Sequence, residues 1–268
     1  MSNCSKAIGE YVAESDLPGT DGTCNSSSAW SKELSRAWDE RKKSVVAVSG
    51  GLEASGGGVI LDNSLLPHLK IESNERMILT AAHLVKKKDM LLVGSYDSDG
   101  AQGNMRQAKL VAQDKEKDLA LLRVSFSNEP PADGIRDHDL REAKPGEIAL
   151  AVLAEDAGRS LGLFAVSDNR SYGSIGGADI RKRFPGVTMT DSTNIVVFTT
   201  ADAPGTSGSP VIAADGKILG LESQRLPEMK AHKLLRDSDD NPKWQRSAAV
   251  SSTEIIGFLK HVDGTCGS

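Results

Sequence analysis

From residue 44 onward the chain is built of short apolar runs separated by turn residues. The first runs are Val45–Val48, Gly58–Leu61, Met77–Thr80, Met90–Val93, Ala108–Ala112 and Leu119–Val124. They are rich in Val, Ile and Leu, and their close spacing is the rhythm of an all-β barrel or sandwich. A second set follows at Ile148–Leu153, Leu161–Val166, Ile195–Thr200, Pro210–Ile212, Ile218–Leu221 and Ala248–Val250. Between the sets, the stretch around Pro130, Pro131 and Gly134 mixes charges with chain breakers and reads as a linker.

Helical spacing occurs only at the two ends. Trp30, Leu34, Ala37 and Trp38 fall on one helical face, with Ser28 as the expected N-cap. Ile255, Ile256 and Leu259 mark a short amphipathic helix over roughly residues 252–261. The expected organisation is an arm at 1–28, a helix at 29–43 and a first β unit at 44–128. A linker at 129–146 then leads to a second β unit with its closing helix at 147–262. Residues 1–28, rich in Ser, Gly and Asp, are expected to be a mobile arm. The polar stretches 167–194 and 224–246 are expected to be surface loops.

Composition narrows the function classes. The net charge of −5 does not suggest nucleic acid as a partner, and the basic runs at 86–88 and 181–183 are too short for such a footprint. Cys4, Cys24 and Cys266 give neither a disulfide framework nor a zinc pattern, and they are expected to be free thiols. No stretch reaches the ~20 apolar residues of a membrane span. Met1–Tyr11 lacks the basic start and apolar run of a signal peptide, so the expectation is a cytoplasmic protein without a membrane partner. His68, His83, His138, His232 and His261 lack ligand spacing, and the glycines at 50–51 and 56–58 come without a phosphate-loop lysine. No cofactor or metal is therefore expected, and those glycines are expected to form a hairpin.

Three segments carry candidate chemistry: Leu79-Thr80-Ala81-Ala82-His83, Lys117-Asp118-Leu119-Ala120-Leu121-Leu122, and Pro204-Gly205-Thr206-Ser207-Gly208-Ser209-Pro210. Acyl transfer by a serine needs a base for the hydroxyl proton, an acid to orient that base, and backbone donors for the oxyanion. The glycine-bounded loop supplies a nucleophile in Ser207 and donors in the N–H groups of Gly205 and Ser207. The order His, Asp, Ser excludes the α/β-hydrolase arrangement, in which the serine comes first. Each segment alone has a bland structural reading. The three in this order on a β-rich chain point to a catalytic set.

These segments resemble those of the trypsin-like (chymotrypsin-fold) serine peptidases, and within them the HtrA/Deg-type protease domains. Ser44-Val45-Val46-Ala47-Val48 with Gly56-Gly57-Gly58-Val59-Ile60-Leu61 is similar to the opening of those domains. Pro145–Val152 resembles their inter-barrel entry strand, and Gly216–Leu221 the strand after their serine. The resemblance covers roughly residues 44–262. It implies an all-β fold of two six-stranded β-barrels with a helix at each end, and a serine endopeptidase with His83 as base, Asp118 as its orienter and Ser207 as nucleophile. The partners it implies are protein or peptide substrates and an activating protein. Only about six residues follow the expected last helix here, so peptide sensing through a PDZ domain is not expected. Thr206 stands where digestive trypsins carry an aspartate, so activation by a new N-terminus is not expected.

By the same resemblance, the primary specificity pocket is bordered by the stretches 201–204 and 221–224. Asp202, Glu222 and Ser223 are its candidate residues. Two carboxylates there favour cleavage after Arg or Lys. The alternative reading is a latent or pseudo-protease, a binding module that needs a partner for activation. An esterase would share the same machinery.

Overall fold

The computed structural model describes residues 24–51, 55–85, 91–95, 105–126, 134–144, 147–151, 163–166, 174–176, 193–201, 205–225 and 244–266. Helix α1 spans Cys24–Arg41 and α2 spans Ser252–Cys266, with β-strands between. The first unit comprises β1 (Val45–Ser49), β2 (Ser55–Leu61), β3 (Glu75–Ala81), β4 (Leu92–Ser95), β5 (Arg106–Asp114) and β6 (Leu119–Ser125). All pair antiparallel into a closed barrel in the order β1-β2-β3-β6-β5-β4.

The second unit comprises β7 (Ile148–Ala151), β8 (Leu163–Val166), β9 (Ser174–Gly176), β10 (Asn194–Ala201), β11 (Pro210–Ala213), β12 (Ile218–Arg225) and β13 (Trp244–Ser251). Their order is β13-β12-β11-β7-β8-β10-β9. A further ladder joins β10 to β13, from Ile195↔Val250 to Ala201↔Trp244, so the pairing returns on itself and leaves β9 outside. The fold is the expected all-β one with a helix at each end.

The strands read as unbroken apolar runs because most are buried on both faces. In β6, Leu119 and Leu121 enter one cluster while Ala120, Leu122 and Val124 enter another. The second of these clusters is the first barrel's interior, with Val46, Val48, Ile60 and Ile78. The other lies between the two units. It joins Val45, Met77 and Leu79 of the first to Ile212, Ile218, Leu221 and Val250 of the second. Leu34 and Ala37 of α1 and Ile255, Phe258 and Leu259 of α2 pack into this shared cluster. The remaining cluster is made of smaller residues, among them Ala149, Val211, Ala213, Leu219 and Ala249.

Some boundaries differ from the sequence expectation. Helix α1 begins at Cys24 rather than after Ser28, so residues 24–28 belong to the helix and not to an arm. No Gly or Pro interrupts residues 24–41, and Ser and Asn carry only a small helix penalty, which the docked end of the helix outweighs. The closing helix runs to Cys266, beyond the expected 261. The strand β9 lies within the stretch expected to be a loop at 167–194. The 224–246 stretch likewise gives up residues to β12 and β13. Residues 1–23, most of those two stretches and the linker's prolines lie outside the described residues.

The later part of the linker is pinned to both units. Ile135 exchanges backbone hydrogen bonds with the β2 end, donating to Ile60 O at 2.9 Å and accepting from Asp62 N at 2.9 Å. Arg141 N–H donates to Ile218 O at 3.2 Å in the second unit. Between them, Asp139 receives the Arg41 guanidinium at 2.5 Å, which ties the end of α1 to the linker. Among the described residues no helix is long and apolar enough to cross a membrane.

Candidate active site

His83 follows β3 directly, in a one-turn 3₁₀ helix over Ala82–Leu84. Asp118 directly precedes β6, and the strands next to the two are neighbours, with Ala81 facing Leu119 across the ladder. Asp118 has φ of 57°, the one non-glycine residue at positive φ among the described residues. The left-handed region costs an L-residue roughly 1–2 kcal/mol, least for Asp and Asn. Here it turns the carboxylate back onto the His83 turn. The carbonyl of Asp118 accepts Ala82 N–H at 3.1 Å, and its Oδ1 accepts His83 N–H at 2.8 Å. Its Oδ2 lies 2.8 Å from His83 Nδ1. A carboxylate only accepts, so the ring proton belongs on Nδ1 and the Nε2 lone pair is left to act as a base. The histidine side chain is 37% exposed and the aspartate 17%, so the imidazole faces solvent while its partner does not.

A third donor reaches the same carboxylate from the second unit. Ser223 Oγ–H donates to Asp118 Oδ2 at 2.5 Å. Ser223 lies where the β12–β13 ladder slips, since Glu222 faces Ala249 and Gln224 faces Ala248. Such a bulge re-aims one side chain, and here it sends the hydroxyl across to Asp118.

Ser207 lies in the turn before β11, between Gly205 at φ 97° and Gly208 at φ 78°. Only glycine takes such angles without strain, so the tight loop depends on both. The loop rests on the glycines of β2. Gly57 N–H donates to Ser207 O at 2.8 Å, and Thr80 Oγ1–H donates to Gly57 O at 2.6 Å. A Cβ on Gly56 would stand 2.3 Å from Ser207 O and 2.7 Å from Leu84 Cδ1. Gly56 is therefore the floor shared by the Ser207 loop and the His83 turn. A Cβ on Gly57 would stand 1.9 Å from Ser209 Oγ, a fully buried hydroxyl without a hydrogen-bond partner among the described residues. The glycines at 56–58 thus form part of strand β2 and a close interface between units. The expected hairpin is the antiparallel β1–β2 pair, whose register runs to Ser49↔Ser55, with Gly50 and Gly51 directly after β1.

The specificity candidates separate. Ser223 is turned to Asp118, as described, so its hydroxyl serves the carboxylate there. Glu222 is 3% exposed and is held to the Ser207 loop by its backbone. Its N–H donates to Ser209 O at 2.9 Å, and its carbonyl accepts Gly208 N–H at 2.6 Å. Asp202 lies outside the described residues. Reading the sequence did not reveal the link from Ser223 to Asp118, because a bulge has no signature in one strand. The three glycines did carry a signal, since glycine inside a strand marks close backbone approach.

Comparison with known proteins points the same way. The family model of the trypsin-like peptidase domain matches residues 56–221. The chain is 29% identical over 177 residues to the serine protease Do-like HtrA of Bacillus subtilis, covering 65% of this chain and 34% of that protein. It is 28% identical over 165 residues to HtrB of the same organism, covering 62% and 33%. The matches span about a third of those relatives' own length. Among solved structures, the MamO protease domain from Magnetospirillum magneticum superposes with a TM-score of 0.57 at 18% identity, covering 81% of this chain and 96% of that one. An inactive form of Rv3671c from M. tuberculosis gives a TM-score of 0.53 at 19% identity, covering 85% and 91%. These two likenesses concern the fold.

Proposed function

This chain belongs to the trypsin-like peptidase family, in its HtrA-type branch, and on that premise we propose that it is a serine endopeptidase acting on protein or peptide substrates. The observation that carries the reading is the Asp118 carboxylate, which fixes His83 through both its backbone N–H and its Nδ1. In this reading Ser207 Oγ attacks the scissile carbonyl while its proton passes to His83 Nε2. Asp118 stabilises the imidazolium that forms. The N–H groups of Gly205 and Ser207 receive the oxyanion of the tetrahedral intermediate. Collapse passes the proton on to the leaving amine and leaves an acyl-enzyme. Water then repeats the sequence and frees Ser207.

The buried Glu222, tied to the nucleophile loop through Gly208 and Ser209, supports a preference for Arg or Lys before the scissile bond. A desolvated carboxylate favours a cationic side chain through a charge-assisted hydrogen bond. Asp202 is the second candidate for that role.

The test is reaction of the wild type and the Ser207→Ala variant with a fluorophosphonate probe, followed by turnover of a peptide library. Labelling of the wild type alone, with turnover, is expected. Equal labelling of the two would remove Ser207 as nucleophile, and no labelling of the wild type would favour a latent or non-catalytic binding module. Faster cleavage after Arg and Lys, lost in Glu222→Gln, is expected for the specificity. A library without basic preference would overturn that part alone.

A further inference from the structure

The turn between β5 and β6 is anchored at both ends. At its start, Asp114 Oδ1 accepts the N–H groups of Glu116 and Lys117, both at 3.0 Å. At its end, the residue directly before Asp118 is held by a different part of the chain. Lys117 Nζ lies 2.7 Å from Glu254 Oε2 in the first turn of α2. The other oxygen of Glu254 accepts both the backbone N–H and Nδ2 of Asn194, each at 3.1 Å, at the start of β10. Glu254 is 8% exposed. One buried carboxylate therefore ties the first barrel's β5–β6 turn to the closing helix and to the second unit.

Exposed ion pairs contribute little, but breaking a buried pair leaves a charge without its partner. The consequence falls next to the strained residue of the site. A non-glycine residue persists at positive φ only where its surroundings over-determine it. Asp118 must hold that conformation for its carboxylate to meet His83 twice and Ser223 once.

We propose that Lys117 and Glu254 are positioning residues for Asp118: the ion pair between them holds the β5–β6 turn against the C-terminal helix and so keeps Asp118 in its left-handed setting. The proposal rests on the reading of Asp118 as the residue that orients His83. It makes the seating of α2 a condition of activity rather than of stability alone.

Glu254→Gln removes the charge but keeps an acceptor oxygen for Asn194, and Lys117→Met keeps the aliphatic stem. Both are compared with Lys117→Arg, which keeps the charge, and with Arg41→Met. The last breaks the pair of Arg41 with Asp139, which serves the α1–linker contact instead. The readouts are Tm, kcat and KM on a cleaved peptide, and amide exchange at His83, whose N–H is donated to Asp118. A small displacement at a catalytic group costs up to about a hundredfold, so kcat is expected to fall between roughly ten- and a hundredfold with KM little changed. His83 exchange should quicken in Glu254→Gln and Lys117→Met, but not in Lys117→Arg or Arg41→Met. If kcat and His83 exchange follow Tm alike in all four variants, the proposal is overturned. If the wild type shows neither turnover nor labelling at Ser207, the endopeptidase reading fails, and His83 exchange still decides the proposal.

Discussion

Ser223 and Asp118 lie in different units, yet the serine hydroxyl donates to the aspartate's Oδ2 at 2.5 Å, the same oxygen that meets His83 Nδ1. The second unit thus acts directly on the orientation of the histidine. Replacing Ser223 by Ala should leave the fold intact and take one of the three donors from the Asp118 carboxylate. A hydrogen bond to a charged group is worth about 1.5–3 kcal/mol, so kcat is expected to fall roughly ten- to a hundredfold. An unchanged kcat would mean the contact is incidental.

Asp118→Asn is a harsher test of the same arrangement. An amide at this position can present an N–H to His83 Nδ1 and favour the wrong tautomer. The general triad template gives a loss of about 10⁴-fold in kcat for that change. Far-ultraviolet circular dichroism should be unaltered. A loss confined to KM would argue against an orienting role.

The contact between the two units beneath Ser207 predicts a compensating pair. Gly57→Ala drives a methyl group into Ser209 Oγ and should cost about 1–3 kcal/mol of stability together with activity. Ser209→Gly in the same chain removes the obstacle and should recover most of both, because the lost hydroxyl has no partner among the described residues. Thermal melts of the single and double variants measure the rescue. Equal stability of the two would place the obstacle elsewhere.

Asp139 should make the α1–linker contact acid-sensitive. Burial pushes its carboxyl up, but Arg41 and the backbone N–H of Arg136 outweigh burial and hold it below the ordinary carboxylate value. A folded value below the unfolded one contributes stability above the unfolded pKa of ~3.9 and loses it as pH falls through the folded value. Asp139→Asn should therefore melt lower than the wild type at neutral pH, with the gap narrowing as the solution is acidified below about pH 4. A gap that stays constant or widens on acidification would refute this assignment.

The sequence determined the elements that depend on local chemistry and pattern. Runs such as Val45–Val48 and Leu119–Val124 became strands near their expected bounds, because β-branched and aliphatic residues with turn residues between them leave few alternatives. The pairing of the histidine after β3 with the aspartate just before β6 was legible from their order, and the serine between two glycines reads from that same order as the third member of the proposed set. What the sequence left open were relations between distant segments. Helix α1 starts at Cys24 and not after Ser28, and it docks through Leu34 and Ala37 into the shared cluster. Ser223 reads as one more polar residue near a pocket until the slipped β12–β13 register turns it toward Asp118. Glu254 sits 136 residues from Asp118 in sequence, and only the packing of α2 brings its carboxylate to Lys117. A single strand or helix encodes its own period. Which face meets which partner is settled when two β units bury a common core.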